Sequence, residues 1–185
     1  MGFQHPALGQ AAASGELSLL AQAAGRIGAP DPIQALQHVD CDPGTVHKQV
    51  DRLEQARGLL TEAADQFDAG VSTVDSGWSG GGGHAAFVES AAEIRNRYGK
   101  TKDKTEDSVA AGRNVARTLD SVATTVAKEA TTIAGSVVAD SQRVLDGEGD
   151  ESIEAVNAAC REIVLTVQDN LKIIGELAEE LASHV

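Results

Sequence analysis

The stretch Asp75-Ser76-Gly77-Trp78-Ser79-Gly80-Gly81-Gly82-Gly83 decides how this chain folds. Five of the seven residues from 77 to 83 are glycine. Glycine loses so much backbone freedom on ordering that a helix does not continue cheaply through such a run. Before it, apolar or small residues recur at steps of three and four: Val46, Val50, Leu53, Ala56, Leu60, Ala63, Phe67, Val71 and Val74. That is the period of a coiled-coil-like helical seam. It predicts a helix over 43–75, about 50 Å long at 1.5 Å per residue. After the run, Phe87, Ala91, Ile94 and Tyr98 resume the same period. A connection this short makes the two helices antiparallel neighbours, turning at Trp78-Ser79-Gly80.

Trp78 is the single tryptophan of the chain and falls at the tip of this hairpin. Its plainest role is to close the end of a helical core. Phe67, Val71, Val74, Phe87 and Ala91 are then the residues expected to pack at that tip, whatever the protein does.

Further along, Gly99 to Asp107 reads GKTKDKTED, polar and poor in core residues. The seam returns as Val109, Gly112, Ala116, Leu119, Ala123, Val126, Ala130, Ile133, Val137 and Val144, and one extra four-residue step keeps it in phase. Residues 84–145 are therefore one very long helix or two helices hinged near 99–112, and the polar run leans towards a bend or break. Gly112 either lets two helices approach closely or marks that hinge. Asp146-Gly147-Glu148-Gly149-Asp150 is the next stop. A last helix follows, with Ile153, Val156, Cys160, Ile163, Val167, Leu171, Ile174, Ala178 and Leu181 along one face.

Towards the N-terminus, Leu17, Leu20, Ala21, Ala24 and Ile27 predict a short amphipathic helix ended by Gly25 and Gly28. Asp31-Pro32 and Asp42-Pro43 each pair an N-cap residue with a proline at the first helical position. No segment alternates as a strand does. The sequence thus predicts an all-α chain. It comprises an N-terminal arm of short helices (1–41), a hairpin turning at Trp78-Ser79-Gly80 (42–112) and a second hairpin turning at Asp146–Asp150 (113–185). Folded over, the hairpins make a four-helix bundle; kept straight, they make an elongated rod.

Composition narrows the function. Of the 185 residues 42% are hydrophobic, enough for a core, but only 3% are aromatic. Such a core suits close helix packing better than an aromatic-walled ligand pocket. The net charge of -13 argues against nucleic acid and against an anionic membrane surface. No apolar run reaches the length of a membrane span. The first residues, Met1-Gly2-Phe3-Gln4-His5-Pro6, carry neither the basic region nor the apolar region of a general secretory signal. Cys41 and Cys160 lack metal-ligand spacing; free thiols are the favoured reading, with a bridge within or between chains as the alternatives.

Catalytic and metal chemistry find little purchase. His5, His38, His47, His84 and His184 share no helix face with another ligand at metal spacing, and read as scattered surface histidines. His84 stands beside the turn, where an imidazole can sense pH. Asp146, Glu148 and Asp150 resemble the start of a calcium loop, but the sixth position is Glu151 and the twelfth Asn157, so a solvated turn is expected. Gly80 to Gly83 is not followed by the Lys-Ser/Thr of a phosphate loop. No nucleophile elbow occurs. The expectation is a non-enzymatic protein with no catalytic residues, no cofactor and no metal.

Trp78-Ser79-Gly80 between two long amphipathic helices resembles the W-x-G turn of the WXG100 (ESAT-6-like) family of type VII (ESX) secretion. The resemblance covers roughly 43–112. The alanine-rich, acidic, aromatic-poor composition is likewise similar to that of secreted actinobacterial helical proteins. The resemblance implies a helical hairpin that pairs with a second hairpin, and export without a cleaved signal peptide to the medium or cell envelope. It implies work by protein–protein contact, as a substrate or partner of the secretion machinery or of another WXG100-like protein. Trp78, Gly80, Tyr98 and Asp103 are the residues it marks for recognition. The family's export signature is tyrosine, three residues, then an acid; here Tyr98 is followed by Lys102 at that place and Asp103 one residue later. The chain is longer than the family's usual length, and its second hairpin lacks a W-x-G, so that hairpin reads as a built-in partner satisfying the core in cis. The alternative is a cytoplasmic helical scaffold or adaptor that self-associates, as a homodimer, through its coiled-coil-like seam.

Overall fold

A computed structural model describes residues 2–78, 80–147 and 149–183, with the side chains of 180–183 left aside. Every regular element among them is helical, so the chain is all-α. The helices are α1 (Pro6–Ala12), α2 (Gly15–Ile27), α3 (Pro32–Leu36), a 3-10 turn (Gln37–Val39), α4 (Pro43–Gly77), α5 (Gly82–Ser136), α6 (Val138–Asp146) and α7 (Asp150–Ser183).

Local chemistry sets most boundaries. The Ser14 hydroxyl accepts from the Leu17 amide at the start of α2, and Gly28 ends that helix at φ 73. Gly25 stays inside the helix, where a single glycine is tolerated. Asp31 accepts from the amides of Ile33 and Gln34 to cap α3, with Pro32 at its first position. At the end of α6, Gly147 takes φ 86, and Arg26 of α2 donates to the Leu145 carbonyl at 2.6 Å.

The break expected near 99–112 does not occur: α5 runs through it without interruption. Lysine and glutamate are good helix formers, and the run holds no proline. The hydroxyls of Thr101, Thr105 and Ser108 bond the carbonyls four residues back. The polar run is simply an exposed face. The interruption falls instead at Val137 (φ -116, ψ 19). There Gly135-Ser136-Val137-Val138 gathers residues of low helix propensity.

The chain divides into two compact units, 1–43 with 115–185, and 44–114. In the first, α2 packs on α3, α6 and α7. Leu8, Leu17, Leu20, Leu36, Val126, Val156 and Ile163 are fully buried in one continuous core, which Ala123, Ala130, Ala134 and Cys160 complete. The N-terminal residues therefore contribute large side chains to this core. Ile153 and Leu171 of the α7 seam stay exposed; the Leu181 side chain lies outside the described residues.

The second unit is α4 against the first part of α5. Glu54 pairs with Arg113, Arg57 with Glu106, Asp68 with Arg95 and Asp75 with His84. As one number rises the other falls, so the two helices run antiparallel. Val50, Val71, Ala91 and Val109 are its buried hydrophobic residues, a thin core. Leu53, Val74, Val88 and Ile94 remain exposed because a single neighbouring helix covers only a strip of each apolar face.

Candidate functional site

Trp78 lies just past the end of α4, and its ring folds towards the first turns of α5. Its centroid stands 5.9 Å from that of Phe87 and 5.8 Å from the His84 ring, the latter in a T-shaped arrangement. Glycine at position 83 makes room for it: a Cβ there would sit 3.2 Å from the indole. Trp78 is still 42% exposed. The indole is thus positioned and presented at once.

Two further features fix the tip. His84 Nε2 and Asp75 Oδ1 are 2.7 Å apart, a bond that ties the last turn of α4 to the first of α5. Gly80 and Gly81 take φ 75 and φ 102, a left-handed backbone that side chains other than glycine rarely adopt. Ser79, the middle residue of the W-x-G, lies outside the described residues.

Not every residue expected at the tip is there. Phe87 meets Trp78, and Val71 and Ala91 are buried nearby. Val74 is exposed. Phe67 instead faces Tyr98, ring centroids 6.0 Å apart. Tyr98 follows the start of α5 by sixteen residues, about 24 Å along the helix. Trp78 and Gly80 therefore do not share one surface patch with Tyr98 and Asp103, and Asp103 is exposed on α5. Around Phe67 and Tyr98 a shallow groove of about 190 Å³ is lined by Leu60, Ala64, Arg95 and Lys102. That is below the usual size of a small-molecule site.

The reading of the histidines as surface residues fails at His5. Its side chain is 4% exposed, and Nε2 donates to Asp120 Oδ1 at 3.2 Å. The Asp40 carboxylate accepts from the backbone amides of Gln4 and His5. Long-range pairing of this kind leaves no mark in local sequence. His184 and Glu148 lie outside the described residues.

Both cysteines are free. Burial, then the carboxylates of Asp40, Asp120 and Asp42, hold the Cys41 thiol above its usual range. Burial, then Asp31, pushes Cys160 up to about 11. Thiols held protonated in this way are poor nucleophiles. Among the described residues no three histidines, cysteines or acids gather where a metal ion would sit, and no helix is long and apolar enough to cross a membrane. No protein-family model, curated protein sequence or solved structure matches this chain.

Proposed function

We propose that this is a non-enzymatic, WXG100-like helical protein of type VII secretion, acting as a secreted substrate or interaction partner through the W-x-G end of its first hairpin. The observation that carries the reading is the state of Trp78. It is held in place by Phe87, His84 and the room left at Gly83, yet remains substantially exposed. An indole ordered but half uncovered at the end of a helix pair is a fit anchor for a protein partner, because tryptophan supplies large apolar area at little entropic cost. In this reading α4 and the first part of α5 form the family's hairpin. The end of α5 with α6 and α7 forms the second. Export follows a route without a cleaved signal peptide, and the partner is the secretion machinery or another WXG100-like protein. The test is export of the full chain and of Trp78→Ala from a host with a type VII system. The proposal expects export of the parent and its loss in the variant. Equal export of both, or none of the parent, counts against it.

A second reading, a cytoplasmic scaffold that self-associates through its seam, is favoured by the exposed seam residues Leu53, Val74 and Ile94 of the two-helix unit. These residues leave apolar area that a second copy would cover. Sedimentation over a range of concentrations distinguishes the two: a reversible homodimer supports the scaffold, a persistent monomer removes it.

A further inference from the structure

We propose that the exposed face of α5 around Arg97 docks on the exposed face of α7 around Glu176 in a second copy of this chain. The two faces are charge-inverted versions of one pattern. On α5 it reads Glu93-Ile94, then Arg97, then Lys100; on α7 it reads Lys172-Ile173, then Glu176, then Glu179. The spacing is the same, and every charged position carries the opposite sign. At about 100° of turn per residue, the α5 positions fall within an arc of about 120°, and those of α7 do the same. Each set is therefore one face of its helix, with an isoleucine at one edge and charges beside it. The α5 face also stands out against its surroundings. From Arg95 to Lys104 the chain holds Arg95, Arg97, Lys100, Lys102 and Lys104 with Asp103 as the sole acid, in a protein of net charge -13.

Both faces are uncovered. Ile94 and Ile173 are exposed large hydrophobic residues, and Arg97, Lys100, Glu176 and Glu179 are exposed beside them. Among the described residues no ion pair engages Lys100, Glu176 or Glu179. Arg97 reaches Glu93 only at 4.0 Å, with both side chains largely in solvent, a pair of little worth. Lys172 is held by Asp169 at 2.7 Å, so its exchange onto Glu93 is close to neutral and adds nothing. Set side by side and parallel, the two helices bring Ile94 against Ile173, Arg97 against Glu176 and Lys100 against Glu179. Set antiparallel about Arg97 and Glu176, they oppose each isoleucine to a charge. The ion pairs thus fix partner and register, as flanking charges do in coiled coils, while the isoleucines supply apolar burial. The net charge repels a phosphate polymer, whereas α7 of another copy offers acids at the matching interval.

A contact between two different faces of one chain either forms twice about a two-fold axis or repeats head to tail, and in both cases each copy uses both faces. Exposed ion pairs contribute little one by one, so the association is reversible. At about 0.15 M salt the Debye length is about 8 Å, so the repulsion between two acidic chains is largely screened while charges in contact are not. This contact rests on neither reading above. A seam dimer uses Leu53 and Val74, which the contact leaves untouched, although Ile94 borders both surfaces. Export through Trp78 is indifferent to it.

A charge swap tests it, by sedimentation of the full chain over a range of concentrations at that salt. The parent is expected to self-associate reversibly. One variant carries Arg97→Glu with Lys100→Glu; the other carries Glu176→Lys with Glu179→Lys. Each alone opposes like charges, so its dissociation constant should rise about tenfold or more. An equimolar mixture of the two should associate again, because α5 of each then meets an oppositely charged α7 of the other. Replacing two acids by lysines raises the charge by four from -13, so both variants remain net acidic and bulk attraction cannot produce that recovery. Ile173→Ser should weaken association and Leu53→Ser should not. Circular dichroism checks that each variant, changed only at exposed positions, keeps its helices. A parent that stays monomeric at every concentration overturns the proposal. So does a mixture that fails to associate. Association that survives in both charge variants and is lost in Leu53→Ser also overturns it, and assigns the dimer to the seam instead.

Discussion

Val50 occupies the space where Gly112 would carry a side chain: a Cβ on Gly112 would stand 2.6 Å from Val50 Cγ2. Both residues belong to the two-helix unit, and Val50 is one of its few buried hydrophobic residues. Glycine at 112 therefore serves close approach, not a hinge. Gly112→Ala is expected to destabilise this unit. An alanine gains about 1 kcal/mol of helix propensity, but overpacking against a stiff β-branched side chain costs about 1–3 kcal/mol. Urea unfolding should show a net loss. Adding Val50→Ala should recover part of it, because the smaller residue clears the clash. A Gly112→Ala chain as stable as the parent would refute the account.

Asp40 holds the N-terminal segment by receiving the amides of Gln4 and His5, while Asp120 receives the ring of His5. Asp40→Ala removes that acceptor; water can take the exposed Gln4 amide, and the part-buried His5 amide loses its partner, so the cost is about 0.5–1.5 kcal/mol. The loss should be local. Hydrogen exchange is expected to speed up over residues 3–12, including α1, while α7 keeps its protection. Uniform loss across the chain would mean that the segment is not a separately opening piece.

The sequence made much of this legible, and the reasons differ by element. α4 showed in its three-and-four spacing and in Asp42-Pro43. The turn showed in a glycine run that no helix crosses. Across 99–112 the sequence leaves one helix or a hinge open and its polarity leans towards a break, whereas helix propensity and hydroxyl-to-carbonyl bonds carry the backbone through. The true interruption at Val137 lay inside an apolar stretch whose period looked sound, and low propensity alone marked it. Which flank of the α4 seam would be covered could not be read either. Leu53 and Val74 fit the period, but coverage depends on where a single partner helix lies. At the tip, Trp78 and Phe87 were visible as neighbours of the turn. The His84–Asp75 bond and the burial of His5 were not, because both depend on how separate helices meet.

Cys160 ties stability to alkaline pH. Its thiol is pushed from 9.0 to about 11 by burial first and Asp31 second. The folded chain therefore binds this proton more tightly than the unfolded one. The resulting stabilisation is fully present below pH 9 and is lost as pH rises through 11. Its size is about 2–3 kcal/mol. Urea midpoints measured from pH 8 upwards should fall for the parent and fall less for Cys160→Ala. The two chains differ at this residue alone, so the difference between them isolates the thiol. Parallel curves would show that Cys160 does not carry the effect.

Gly83→Ala separates the position of the indole from the stability of the helix pair. The added Cβ would stand 3.2 Å from the Trp78 ring, close enough that one of them must move by a few tenths of an ångström. Trp78 can move, since it is 42% exposed. Residue 83 is also the second of α5 and has no positive φ, so alanine there is conformationally allowed. The helix term should then decide stability, leaving it unchanged or raised by up to about 1 kcal/mol. The displaced ring loses part of its contact with Phe87 and gains water. Trp78 emission should shift to longer wavelength while the unfolding midpoint holds or rises. A variant that is destabilised with an unshifted emission would mean that the ring is fixed and the helix yields, so the indole would be a structural closure instead of a presented surface.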